Sequence, residues 1–329
     1  MRVVAPSLTF GEAPAHVPRG RSDRTIDLGL VALTVAACLV VIITIAAIIF
    51  KVVDGASSAI STFGLGFLGH LTWNTGADPA VLGGAAFIYG TLVTSAIALL
   101  IAGPIGIAIG LFLALLAPAR LAAVIGPLVE LLAAIPSVVL GLWAVIFLTP
   151  IMRGSIEPAL HDVLGWIPIF GTANAAGTGI FTAGLVLTIM VVPIMASISR
   201  ELFRSVPSEL KDGALALGCT RWEMVRGVVL GSTGAGLTAT AILGVSRAMG
   251  EAIAVTSVIG DSARIPTSLF DNGDTIGSRI AAEVINTTSP LWQSGIFYLA
   301  AILLVIELVI NLAAQLIVRR YSLAQAGTR

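Results

Sequence analysis

Few residues in this chain are able to do chemistry, and most of those lie in apolar surroundings. The stretch SRAMGEAIAV carries Arg247 and Glu251 four residues apart, which on a helix puts a guanidinium and a carboxylate on one face. On a solvated helix such a pair is worth about 0.3–0.5 kcal/mol. Inside a bilayer each charge costs roughly 2.5–3.5 kcal/mol, so the pair must face protein or a polar cavity. Arg247 is the one cation within the apolar runs, and a fixed positive charge with several donors is what an anion crossing the midplane requires. We read Arg247 and Glu251 as pathway residues, with the glutamate holding the arginine; the competing reading is a structural ion pair. Glu130, Glu307, Asn311 and Gln315 complete the intramembrane polar set. The last three recur at i, i+4 and i+8, a stripe that faces the bundle or another subunit rather than lipid.

The elements that must position these groups follow from composition. Of 329 residues, 57% are hydrophobic and 11% charged, too few charges to coat a soluble surface of this size. The fold class expected is an all-α polytopic membrane protein with six transmembrane helices. A formal net charge of zero gives no whole-chain attraction for nucleic acid. No metal cluster and no nucleophile–base pair is visible, so the chain reads as no enzyme. Cys38 and Cys219 fall in different environments, and no disulfide is expected.

Taken in order, residues 1–24 form a polar tail read as disordered, and 25–51 hold the first span, with Leu28 to Phe50 free of charge. Residues 52–82 form an extracytoplasmic connection and 83–320 the core. The second span lies within the uncharged run from Pro79 to Ala119, with Gly106 and Gly110 spaced for close helix packing. A third is expected over about 121–147, containing Glu130 and interrupted at Pro136, followed by a connection from Met152 to Thr178. The fourth covers 179–199, the fifth 227–259 and the sixth 295–318, before a tail at 321–329.

Thirteen of the basic residues fall on one side of this arrangement: Arg2, Arg19, Arg21, Arg24, Arg120, Arg200, Arg204, Lys211, Arg221, Arg226, Arg319, Arg320 and Arg329. Lys51, Arg153, Arg264 and Arg279 fall on the other. Both termini and residues 200–226 are therefore expected in the cytoplasm of a multi-pass inner-membrane protein. Neither Lys51 nor Lys211 follows a glycine-rich phosphate loop, so a pump built on this chain must take its energy from another subunit.

The polar stretch SELKDGALALGCTRWEMVRGVVLG, residues 208–231, reads as helix, glycine turn, helix. Ser208 is the expected cap, Glu209 favours the positive helix end, and Leu210, Ala214 and Leu217 share a face. Gly218 ends that helix, and Thr220 with Glu223 has capping-box spacing for the next. The pattern resembles the loop signature of ABC importer permeases, with Asp212, Gly213 and Ala214 in its first triplet and Gly218 at its glycine. Val228, Leu230 and Gly231 occupy its final elements, and Asp, Gly and Gly replace the usual Glu, Ala and Pro. The resemblance implies docking of an ATPase against Glu209, Asp212, Gly213, Ala214, Gly218, Thr220 and Glu223.

Four further segments, GFLGHLTWN, GAAFIYGTLVTSAIALLIAGPIGIAIGLFL, ELLAAIPSVVLGLW and SRAMGEAIAV, together resemble the PstC-type permeases of phosphate importers. Thr75 stands where that family usually has proline. The resemblance implies the type I ABC importer permease fold and phosphate as cargo. It also implies a second homologous permease of the PstA type, two ATPase subunits of the PstB type and an extracytoplasmic phosphate-binding protein of the PstS type. No cofactor is expected in this chain, ATP and Mg being bound by the ATPase. The alternatives are a permease for another oxyanion, such as molybdate or sulfate, and a proton-coupled transporter using Glu130, Glu251 and Glu307.

Overall fold

The computed structural model describes residues 21–77 and 80–326, with side chains over 27–77 and 80–316. The disordered tail expected at 1–24 falls mainly outside the described residues, and Arg21 to Arg24 are already helical. Residues 327–329 also lie outside them, while 321–326 continue a helix. The chain forms two compact units that divide between Lys51 and Val52.

Helix α1 spans Arg21–Phe63. In the first unit every side chain from Asp27 to Phe50 is exposed, because a lone apolar helix has no face of its own to bury against. In the second unit α2 covers Ala85–Leu111 and runs into a wide π turn at Phe112–Leu116. Then come α3 (Ala119–Ala133), α4 (Ser137–Leu164), α5 (Ile180–Arg204) and α6 (Ser208–Ala216). Helix α7 spans Arg221–Met249, followed by the short α8 (Ile253–Thr256), α9 (Ile276–Glu283) and α10 (Pro290–Ala326). Among the described residues the extended structure is one isolated bridge between Asn74 and Val81.

Six helices are long and apolar enough to cross a membrane: Asp27–Leu68, Ala85–Leu116, Ser137–Leu164, Ile180–Arg204, Arg221–Met249 and Pro290–Leu316. The number agrees with the sequence reading, but the third span does not lie where it was expected. Pro136 adopts an extended backbone (φ −58°, ψ 136°), ends α3 and opens α4. The 15 residues of α3 reach only about 22 Å, short of a hydrocarbon core of about 30 Å. Glu130 therefore belongs to this short helix and not to a transmembrane one. Residues 152–164, read as the start of a connection, are the second half of α4, and the connection is the shorter stretch 165–178. Pro150 and Pro158 do not break this helix. Each follows a π turn, at Ala144–Leu148 and Met152–Ile156, where the shifted hydrogen-bond ladder accommodates a residue without an N–H.

Helix α5 is the axis of the second unit, with two-thirds of its most apolar stretch buried. The close approach of α2 follows from the two spaced glycines: a Cβ at Gly106 would stand 2.7 Å from Met195 Cβ, and one at Gly110 would stand 2.8 Å from Ser199 Cβ. Around this contact Ala98, Ala102, Leu187, Val191 and Met195 join Val255 and Ile259 in one apolar cluster. A second cluster ties the end of α1 to α2 and α10 through Phe67, Phe87, Tyr298 and Leu299. A third packs Phe203 and Val206 against Met224, Val225 and Val229, and so fixes the end of α5 to the start of α7.

Candidate functional site

The turn between α6 and α7 is built from local backbone chemistry. Helix α6 ends in a Schellman motif: Cys219 N donates to Ala214 O at 3.2 Å and Gly218 N to Leu215 O at 3.0 Å. Gly218 carries φ +90°, a conformation closed to most side chains, and no atom lies within 4 Å of where its Cβ would be. Thr220 and Glu223 form the capping box that opens α7: Glu223 N donates to Thr220 Oγ1 at 3.3 Å, and Thr220 N donates to Glu223 Oε2 at 2.7 Å. One expectation fails, because Pro207 and not Ser208 occupies the cap of α6, and no side chain bonds to its first turn. Ser208 is the first helical residue, since the fixed φ of Pro207 already sets the extended entry.

Asp212, Gly213 and Glu209 are exposed, and Ala214 packs on the cluster around Phe203. Leu217 is 87% exposed, Trp222 63% and Leu210 53%. A polar segment thus presents three large apolar side chains on one turn.

The proposed ion pair is the clearest correction. Helix α7 stops at Met249, and Gly250 to Ala252 break the chain before α8, so the two residues do not share a helical face. Arg247 is exposed at the end of α7 and makes no ion pair within 4.0 Å among the described residues. Glu251 instead accepts a hydrogen bond from Ala254 N at 3.4 Å. The glycine following Met249 lets the backbone leave the helix, a turn the i, i+4 spacing alone did not reveal.

Two members of the α10 stripe face α7. Asn311 Oδ1 accepts from Ser246 Oγ at 3.1 Å, and Glu307 Oε1 stands 3.4 Å from where a Cβ on Gly250 would lie. Gln315 is exposed. Glu130 lies away from all of these and binds Arg200 Nη1 at 3.2 Å.

Two buried charge sites went unread in the sequence. Arg279, with its side chain 8% exposed, pairs with Asp274, with Asp261 at 2.7 Å and with Glu283 at 2.7 Å, and its guanidinium lies 5.0 Å from the centre of the Phe87 ring. Trp73 and Trp292 donate to Glu283 at 3.1 and 2.7 Å. Burial pushes the Asp274 carboxyl up to about 6, against the opposing charge of Arg279. The i, i+4 spacing of Arg279 and Glu283 is the one signal in the sequence that points to this site. Glu157, on α4, is fully buried and accepts from Asn174 N at 2.8 Å. Nothing marked it, because its helix was read as a connection. Among the described residues no group of three or more His, Cys, Asp or Glu is placed to hold a metal, and both cysteines are free.

Six span-length helices among the described residues, with a bare, capped polar turn, define a type I ABC importer permease fold. A family model for the inner membrane component of binding-protein-dependent transport systems matches residues 106–323. The chain is 39% identical over 301 residues to the phosphate transport system permease protein PstC of Mesorhizobium japonicum, covering 91% of this chain and 90% of that one. It is 40% identical over 290 residues to PstC of Haemophilus influenzae, covering 87% and 91%. Against PstC 2 of Mycobacterium tuberculosis it is 42% identical over 231 residues, covering 69% and 71%. Among solved structures, a bacterial alginate ABC transporter in complex with its alginate-bound periplasmic protein matches with TM-score 0.57 at 17% identity, over 89% of this chain and 96% of that one. The MetNI methionine ABC transporter matches with TM-score 0.51 at 19% identity, over 71% and 93%. The chain belongs to the family of binding-protein-dependent transport system inner membrane components, in its PstC branch. It is a multi-pass inner-membrane permease subunit and not an enzyme, and ATP hydrolysis belongs to separate subunits of such transporters.

Proposed function

We propose that this chain forms half of the translocation pathway of an ATP-driven phosphate importer. It works with a second homologous permease (PstA type), two ATPase subunits (PstB type) and an extracytoplasmic phosphate-binding protein (PstS type). The observation that carries this reading is the α6–α7 turn. Leu210, Leu217 and Trp222 are apolar surface on a charged segment, which has a use only when a partner covers it. The ATPase docks there, holds ATP and Mg, and receives the turn as a rigid block fixed by Gly218 and the Thr220–Glu223 cap. The asymmetry of lysine and arginine supports a cytoplasmic position for this turn and both termini.

Arg247, exposed at the end of α7 and without a carboxylate partner among the described residues, supplies the fixed positive charge that attracts the anion. Glu251, across the chain break, bounds the same path and keeps the site from trapping its cargo. One arginine suits passage better than tight binding, leaving selectivity to the binding protein. Phosphate as cargo is supported by the named relatives.

The test is ATP hydrolysis by the transporter purified with its partners in lipid nanodiscs. Phosphate, delivered by the binding protein, should stimulate hydrolysis, while sulfate and molybdate should not. Stimulation by either of those anions in place of phosphate would change the cargo. Uptake that resists vanadate and collapses with an ionophore would replace the ABC mechanism with proton coupling.

A further inference from the structure

The cytoplasmic end of α5 carries a buried cation that the translocation path does not use. Arg200 sits one turn before the end of α5 with its side chain 10% exposed. Its backbone is clamped by α2, since a Cβ on Gly110 would stand 2.9 Å from Arg200 N. Its guanidinium passes directly over Gly126 of α3, where a Cβ would stand 2.8 Å from Cζ and Nη2. One helical turn further along α3, Glu130 Oε1 accepts from Arg200 Nη1 at 3.2 Å. Burying an arginine is costly unless it is paired, so a glycine that clears its route and a carboxylate at its end form one arrangement.

Position gives this arrangement its consequence. After Arg204 only Ser205, Val206 and Pro207 separate α5 from α6, and Val206 is locked in the apolar cluster with Phe203, Met224 and Val225. A displacement of α6 therefore moves the end of α5, and Arg200 with it. Helix α3 meets α5 through this ion pair and then turns at Pro136 into α4. Near its start α4 packs on α8, because a Cβ on Gly141 would stand 3.0 Å from Ala254 Cα and 3.1 Å from Ser257 Oγ. Glu251 binds the first turn of that same helix.

We propose that Arg200 and Glu130, with Gly126 as the clearance between them, form a strut that transmits movement of α6 through α3 and α4 to the α7–α8 break at Glu251. Arg200 and Glu130 are positioning residues in this role and touch no substrate. The inference rests on the reading of α6 as the ATPase docking element.

Two variants test it. Glu130→Ala removes the far end of the strut from a side chain that is 55% exposed, so it leaves no buried cavity. Gly126→Ala leaves Glu130 intact and meets first the guanidinium tip of Arg200, which must swing off its partner. Each is purified with its ATPase, binding protein and companion permease, and three quantities are read: ATPase bound per permease, hydrolysis without phosphate, and hydrolysis with phosphate-loaded binding protein. Both variants should hold a full complement of ATPase and hydrolyse ATP at the basal rate, yet lose about three- to ten-fold of the substrate stimulation. Glu130→Gln, which keeps an acceptor for Nη1, should recover part of it. Stimulation within about two-fold of the parent in either alanine variant would overturn the strut. Loss of assembly in Glu130→Ala would overturn it also, because the pair would then be a folding element. Crosslinking of the parent ATPase away from residues 210–218 would sink the docking reading first, and the strut with it.

Discussion

A charged side chain in this protein is interpretable only through its partner. Among the described residues Arg279 has three carboxylates around it, Arg200 has one, and Arg247 has none within ion-pair distance. The first two are buried and the third is exposed, so the desolvation cost falls where compensation exists. This makes Arg247 a cleaner target than a buried pair would be. Arg247→Met strands no buried carboxylate, and we expect a fully assembled transporter whose phosphate uptake falls about ten-fold or more. Normal uptake by a correctly assembled variant would leave Arg247 without a pathway role.

Asp274 allows a pH prediction at the same scale. Its carboxyl is raised from 3.8 to about 6 by burial, so the folded protein holds that proton more tightly than the unfolded chain does. The contribution to stability is complete below about 3.8 and is lost as pH rises through 6, on the order of 3 kcal/mol across that window. Thermal unfolding in detergent should therefore show the parent losing stability between pH 4 and 6.5 relative to Asp274→Asn. Parallel pH profiles of the two proteins would remove Asp274 as the cause.

Among the elements, α6 and its exit show how local rules set a docking surface. The Schellman motif at Ala214 to Cys219 and the capping box at Thr220 hold the two helix ends in a fixed turn, and Ala214 and Met224 seat that turn on the apolar cluster around Phe203. Gly218→Val has no neighbouring atom to strike, so its cost is that of the backbone, about 1–3 kcal/mol for a β-branched residue held at φ +90°. We expect the variant to insert at normal levels, to lose bound ATPase and to show little phosphate-stimulated hydrolysis. Full coupling in a well-expressed variant would show that the turn geometry is dispensable. Helix α3 is the contrasting case. Its register is fixed by tertiary contacts at Ala122, Gly126 and Arg200 rather than by its own caps.

For the whole molecule the open quantity is which way it sits in the membrane. By the sequence reading thirteen lysines and arginines fall on one side and four on the other, and the excess stands although α4 takes Arg153 into a span, so residues 200–226 should be reached only from the cytoplasm. A charged, membrane-impermeant thiol reagent added outside intact cells should fail to label Cys219 or an Arg204→Cys variant, and should label both after permeabilisation. Labelling of either in intact cells would reverse the topology.

By itself the sequence determined what depends on neighbours in the chain and on the bilayer as solvent. Those features are the number of apolar spans and the place of all but the third, the glycine face of α2 at Gly106 and Gly110, the positive-φ stop at Gly218 and the Thr220–Glu223 cap. Each follows from periodicity, hydropathy or a fixed backbone preference over a few residues. Tertiary structure alone decided which charges meet. Arg200 and Glu130 lie seventy residues apart, Trp73 and Glu283 more than two hundred, and no spacing rule joins them. Arg247 and Glu251, by contrast, had the right spacing and do not pair, because Gly250 lets the helix end between them. Pro136, Pro150 and Pro158 are the same residue type, yet the first ends a helix while the others follow π turns inside one. Proline removes one donor and fixes one angle, and the surrounding packing decides whether the ladder stops or shifts.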